Sequence, residues 1–167
     1  MALRSNHYEL AFEAWLRGQR RPYVPVNEAR RPLMGDGSLK SMDFIVYSTE
    51  GPHLLVDIKG RRFPRPGEPG HAWESWATAD DVESLMRWEE CFGGDFRAAF
   101  VFAYDLDVAH VAGHADVWTF RDRTYAFYGV LVEEYLTVMR RRSQKWETVS
   151  LPAADYRRLR RPFGQLV

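Results

Sequence analysis

Two apolar runs in the first third of this chain carry charges where a buried strand has no room for them. Met42-Asp43-Phe44-Ile45-Val46 and Leu54-Leu55-Val56-Asp57-Ile58-Lys59 are otherwise apolar, and the β-branched Ile45, Val46, Val56 and Ile58 favour strand over helix. Side chains alternate across a strand, so Asp57 and Lys59 share a face with Leu55 while Val56 and Ile58 point the other way. The turn-forming Glu50-Gly51-Pro52 separates the runs, so a hairpin is expected to bring Asp43, Asp57 and Lys59 to one rim. Two carboxylates and an ammonium at one point suit a hard divalent cation and an activated water.

A chain of 167 residues with 46% hydrophobic content is large enough for one domain with a sizeable core and too apolar for disorder. No apolar run approaches the roughly 18 residues that cross a bilayer, and the segment from Met1 to His7 lacks the apolar centre of a signal peptide. The single cysteine, Cys91, excludes intramolecular disulfides and cysteine-rich zinc or iron–sulfur sites. These features point to a cytoplasmic protein without membrane attachment.

Formal net charge is +0, yet the charges are segregated. Arg17, Arg20, Arg21, Arg30 and Arg31 crowd the N-terminal region, and Arg61, Arg62 and Arg65 follow Lys59. Arg140, Arg141, Arg142, Lys145, Arg157, Arg158, Arg160 and Arg161 fill the C-terminal region, whereas Asp80, Asp81, Glu83, Glu89, Glu90 and Asp95 form an acidic cluster. Such segregation predicts one basic and one acidic face. For the C-terminal cluster, solvated helix faces are an equal reading.

Along the chain, Asn6 or Ser5 caps a first helix that runs to about Arg17 and ends at Gly18. Tyr8, Ala11, Phe12, Trp15 and Leu16 form its apolar stripe. Tyr23 to Asn27 reads as an edge strand because of Pro25, and Arg30 to Lys40 as a polar loop. After the two charged strands, Gly60 to Trp76 is a loop rich in Pro, Gly and Arg. Thr78 caps a helix to about Phe92, closed by Gly93-Gly94. Ala98 to Tyr104 is a buried strand. Strands at Val117 to Phe120 and Tyr125 to Val130 pair around Arg121-Asp122-Arg123. A helix from about Glu133 to Arg140, a strand from Trp146 to Val149 and a helix after Pro152 complete the order. An α/β (α+β) fold follows, a mixed sheet flanked by helices.

A helical glutamate, a strand opening on Asp and a next strand closing on Asp-x-Lys resemble the PD-(D/E)XK nuclease superfamily. The bearers are Glu9, Met42-Asp43 and Asp57-Ile58-Lys59, followed by a helix and the strand Ala98 to Tyr104. The layout is most similar to archaeal Holliday-junction resolvase-like proteins, and His7-Tyr8-Glu9 with the C-terminal part resembles a bacterial group within that fold. The resemblance covers residues 6–104 as a core, with 105–167 as a mixed C-terminal extension of a single domain. It implies a restriction-endonuclease-like central sheet and a Mg²⁺-dependent endonuclease, with Mn²⁺ able to substitute, acting on branched or otherwise structured DNA, as a possible homodimer. Asp43, Asp57, the Ile58 carbonyl and Glu9 would hold the metal, and Lys59 would position the attacking water. Arg30, Arg31, Arg61, Arg62 and Arg65 would hold backbone phosphates at the same cleft. Three positions depart from the family pattern. Met42 stands where proline is frequent, Asp57 replaces the more usual glutamate, and the Thr78 to Phe92 helix lacks the glutamine of several nuclease branches.

Each residue has a second reading. Glu9 sits at the position where a glutamate closes a capping box on Asn6, and Glu13, one turn on, is an alternative helical carboxylate. Asp43 can serve a strand start, and Asp57 with Lys59 can be an ion pair on a half-exposed strand. The five histidines offer no metal-ligand spacing, and Trp73 and Trp76 read as lids of the core. The rival to an enzyme is a nuclease-fold module that binds DNA or protein without cutting.

Overall fold

Two long parallel strands organise the molecule, because eleven consecutive residues of one pair with eleven of the other, from His53 opposite Phe96 to Phe63 opposite Leu106. The computed structural model describes the chain apart from residues 1–5, 28, 30–32, 35–36, 66, 68–72 and 115. In chain order its elements are α1 (His7–Gly18), β1 (Tyr23–Pro25), β2 (Leu33–Met34), β3 (Gly37–Ser38), β4 (Phe44–Val46), β5 (His53–Phe63), β6 (Ala77–Thr78), α2 (Ala79–Phe92), β7 (Phe96–Leu106), β8 (Trp118–Phe120), β9 (Arg123–Leu131), α3 (Val132–Val138), β10 (Arg140–Ser143), β11 (Thr148–Ser150), α4 (Ala153–Leu159) and β12 (Arg161–Pro162). The central sheet runs β1-β4-β5-β7-β9-β12 with β8 beside β9. Among the described residues only β5 and β7 pair in parallel, joined by the crossover that contains α2. A smaller sheet, β10-β11-β6, leads directly into α2.

β7 is buried from Ala98 to Leu106, as a strand covered on both faces must be. Its Phe100, Phe102 and Tyr104 join Leu55, Val82, Leu85, Tyr135 and Tyr156 in a core under α2, α3 and α4. Its Val101 and Ala103 join Phe12, Leu16, Phe44, Val56, Ile58 and Phe127 in a second core under α1. Burying one such aromatic or branched side chain contributes about 1.5–3 kcal/mol, so the two faces of β5 and β7 carry most of the fold.

The helix ends follow their caps. The Asn6 side chain accepts from the Tyr8 N–H at 3.0 Å, and α2 starts in a reciprocal box between Thr78 and Asp81. Three expectations need correction. β5 does not stop at Lys59: pairing with β7 draws Gly60 to Phe63 into the strand, where Phe63 is buried. The helix expected from Glu133 to Arg140 ends at Val138, and Arg140 opens β10 instead. The strand expected from Trp146 begins only at Thr148, leaving Trp146 in the β10–β11 turn. The arginines of that segment therefore stand on a strand, not on a helix face.

Candidate functional site

The cleft forms where β4 and β5 separate. Phe44 pairs with Val56, so one residue further Asp43 stands opposite Asp57. The Asp43 N–H donates to the Val56 carbonyl at 2.8 Å, and its Oδ2 accepts from the Ile58 N–H at 2.6 Å. That carboxylate satisfies a backbone donor of β5 and is 3% exposed, which explains how a charge can open an otherwise apolar strand.

Glu9 reaches the same place from the other face of the sheet. A Cβ on Gly60 would lie 2.2 Å from Tyr8 Cδ2, so the glycine lets the first turn of α1 close on β5. Glu9 Oε1 accepts from the side-chain amide of Asn6 at 3.1 Å. Glu13 is engaged elsewhere, accepting from the Tyr23 hydroxyl at 2.9 Å and pairing with Arg17 at 3.1 Å. Glu9, Asp43, Asp57, Ile58 and Lys59 thus line one cleft of about 270 Å³.

Two further charges line it that the sequence reading had not assigned, Lys40 and Asp81. Lys59 Nζ bridges Asp57 Oδ2 and Asp81 Oδ2, each at 2.8 Å. Asp81 Oδ1 receives Lys40 Nζ at 2.8 Å, and Asp81 Oδ2 accepts the Thr78 N–H at 2.9 Å. Lys40 is clamped to α2 through its backbone, its N–H donating to Ser84 Oγ at 3.3 Å and its carbonyl accepting from Trp88 Nε1 at 2.7 Å. The capping pattern Thr78-x-x-Asp81 was legible, but not that its acidic member turns inward. The acidic segment is therefore not a uniform acidic face: Asp81 is buried, and Glu89 Oε2 accepts from the Ala98 N–H at 2.6 Å.

The alternation of charges sets the protonation states. Burial alone would lower the Lys59 pKa, but Asp57 and Asp81 outweigh it and hold the group above its ordinary value. Lys59 is accordingly an ammonium at neutral pH, a donor and not a base. Burial would raise Asp81, yet Lys59, Lys40 and the Thr78 amide pull it well below the usual carboxylate range. Asp57 is shifted up, by burial first and then by repulsion from Asp81, against the pull of Lys59.

Oxygen donors from two aspartates, a glutamate and a backbone carbonyl suit a hard divalent cation in kind, and the raised Asp57 marks a buried charge that a cation would balance. Among the described residues, no three His, Cys, Asp or Glu side chains stand close enough together to hold a metal ion as they are arranged.

The arginines expected at this cleft disperse. Arg61 shares the Lys59 face but is held by Trp76, over whose ring its guanidinium lies at 3.9 Å and whose carbonyl accepts from Nη2 at 2.5 Å. Arg62 and Arg65 line a second cavity of about 680 Å³, with Asp105 and Arg123. They are on the opposite side of the alternation or beyond the strand, because β5 continues through Arg62 before the chain turns at Pro64. Arg30 and Arg31 lie outside the described residues.

No protein-family model matches the chain, and no curated protein matches it. Among solved structures, the fold is similar to that of Hjc, a Holliday junction resolvase from the archaeal hyperthermophile Archaeoglobus fulgidus, with a TM-score of 0.55 and 15% identity over 96% of this chain and 92% of that one. At that identity the likeness is one of fold. No described helix is long and apolar enough to cross a membrane.

Proposed function

We propose that this protein is a Mg²⁺-dependent endonuclease of branched or otherwise structured DNA, with Mn²⁺ able to replace Mg²⁺, and that it works as a homodimer. The observation that carries the reading is the meeting of Glu9 from α1, Asp43 at the entry to β4, and Asp57 and Lys59 from β5 in one cleft. The fold shared with a Holliday junction resolvase supports branched DNA as the substrate class.

In this reading Asp43, Asp57, the Ile58 carbonyl and Glu9 would hold the cation. When bound, the ion stabilises charge on the phosphate under attack and makes water more acidic. Lys59, kept protonated by its carboxylate neighbours, donates to the attacking water or to a phosphate oxygen and so orients them. Asp43 keeps its geometry through the Ile58 N–H, which fixes one ligand relative to the strand that carries the others. Lys40 adds a second cation at the rim for the incoming phosphate.

A non-cutting nuclease-fold protein is the second reading, favoured by the bridge of Lys59 to Asp57 and Asp81, which pairs both carboxylates without a metal. Incubation with four-way junction, single-stranded and duplex DNA in Mg²⁺ or Mn²⁺ separates the two. The enzyme cuts the junction, and Asp57→Ala stops cutting while binding in EDTA persists. Binding by the wild type with no metal-dependent cleavage of any substrate would leave only the second reading, and cleavage surviving in Asp57→Ala would remove the assigned site.

A further inference from the structure

The β10–β11 hairpin carries a run of exposed positive charge without ion-pair partners among the described residues. Between Arg140 and Ser150 stand Arg140, Arg141, Arg142 and Lys145 against one carboxylate, Glu147, which is +3 on a chain whose formal net charge is +0. The three arginines and Lys145 are exposed. Arg142 lies over the Trp76 ring at 5.3 Å, and among the described residues no carboxylate ion-pairs with any of the four. Three other exposed arginines are paired along their helices, Arg17 with Glu13, Arg87 with Glu83 and Arg158 with Asp155. β10 is the free edge of its sheet.

The tip of the hairpin is held in shape. The Trp146 N–H donates to Ser143 Oγ at 3.3 Å, and the Glu147 N–H to the Gln144 carbonyl at 3.3 Å. Trp146 is nevertheless 68% exposed, far more than an indole with a core to join, and Lys145 Nζ stands 5.2 Å from its ring. The hairpin is also tied to the cleft. Thr148 pairs with Thr78, the cap of α2, and the Ala79 N–H donates to the Glu147 carbonyl at 2.9 Å. The Trp76 ring under Arg142 is the one that holds Arg61, two residues from Lys59.

We infer that the β10–β11 hairpin is a nucleic-acid-binding wing beside the cleft, in which Arg140, Arg141 and Lys145 bind backbone phosphates and Trp146 stacks on an unpaired base. The inference rests on the proposed action on structured DNA and assigns the surface that holds it. Unpaired cations on an exposed edge strand meet phosphates without first breaking ion pairs. An aromatic ring flanked by cations is the composition of a base-stacking platform, which accepts any base because every base has a π-face. Branch points and single strands expose such bases, whereas continuous duplex does not.

The test uses the full chain in EDTA, where cutting is absent, with fluorescein-labelled four-way junction, single-stranded and duplex DNA, and anisotropy read across NaCl concentrations. Arg140→Gln with Arg141→Gln should lower affinity about tenfold or more at physiological salt and flatten the log–log salt slope by about 1.8, two phosphates at about 0.9 each. Trp146→Ala should weaken junction and single-strand binding about five- to a hundredfold and duplex binding little. An Arg→Lys pair at 140 and 141 retains the slope and guards against misfolding as the cause. An unchanged slope in the Gln pair, or equal losses on duplex and junction in Trp146→Ala, would overturn the wing, as would binding to phosphatidylserine vesicles in place of DNA. The two readings fail separately: binding without cutting sinks the nuclease and keeps the wing. Cutting with unaffected hairpin variants sinks the wing alone, and a wild type that binds no DNA removes both.

Discussion

The cleft and the hairpin hold their cations in opposite ways. In the cleft, Lys59 and Lys40 are each fastened to carboxylates at 2.8 Å, and Lys59 is mostly buried. On the hairpin, Arg140, Arg141 and Lys145 are exposed and have no ion-pair partner among the described residues. A buried ammonium needs its partners, because removing a charge from water costs several kcal/mol unless another charge compensates it. An exposed guanidinium has no such need and stays available to a polyanion. In the proposed enzyme the fixed charges would orient reacting atoms and the free charges would capture the substrate.

The largest effect should follow from removing the fixed cation. Lys59→Ala is expected to lower cleavage about a hundred- to a thousandfold, the range for loss of a preorganised donor, while DNA affinity in EDTA changes little. Single-turnover cleavage together with anisotropy would check this, and a Lys59→Ala protein that cuts normally would erase the distinction between the two regions.

Next comes Asp81, which holds both cleft lysines and closes the α2 cap. Asp81→Asn should destabilise the fold by about 3 kcal/mol, as breaking a buried pair does, measured by urea unfolding. Its pH signature has a definite sign. The folded carboxyl titrates below its unfolded value of about 3.9, so its contribution is complete above that value and is lost as pH falls through the folded pKa. The acid side of the wild-type stability curve should therefore be steeper than that of Asp81→Asn. Parallel curves would show that Asp81 is not the anchor of the cleft.

A smaller effect is expected at Gly60. The added methyl of Gly60→Ala would press on Tyr8, at about 1–3 kcal/mol for overpacking, and tilt Glu9 away from the cleft. Tyr8→Ala in the same chain should recover part of the cleavage rate. Failure of that rescue would mean that the α1 approach does not position Glu9. The smallest effect belongs to the hairpin itself: Arg140→Gln with Arg141→Gln should leave stability within about 0.5 kcal/mol, as exposed substitutions do, whatever it does to binding. A large loss of stability there would make these arginines structural and remove the contrast.

Local physics made much of this legible. Asn6 and Thr78 as caps, the burial of Ala98 to Tyr104, the edge position of Tyr23 to Pro25 and the sharing of a face by Asp57 and Lys59 depend on neighbours within a few residues. The same holds for the facing of Asp43 and Asp57, since a short turn leaves two apolar strands few registers. Other features depended on residues far apart in the chain. β5 was expected to stop at Lys59, because Gly60-Arg61-Arg62 reads as loop until β7 supplies eleven residues of ladder. Arg62 and Arg65 were expected beside the carboxylates, but the longer strand carries them to another cavity. Glu9 and Glu13 are equivalent by helical spacing, and only the close seat of Tyr8 on Gly60 turns the first of them into the cleft.

Helix caps, the buried strand from Ala98 to Tyr104 and the charged residues able to share a rim are local properties, because periodicity and capping act over one turn or one hairpin. The tertiary structure decided which charges meet. Asp81 and Lys40 enter the cleft through an α2 crossover and a backbone clamp more than forty residues apart in sequence for Lys40 and Trp88. Arg140, Arg141 and Arg142 stand on a strand edge because β11 pairs with β10 on one side and with β6 on the other. Charge pairing falls off over a few ångströms, so its outcome is set by distances that only the assembled fold supplies.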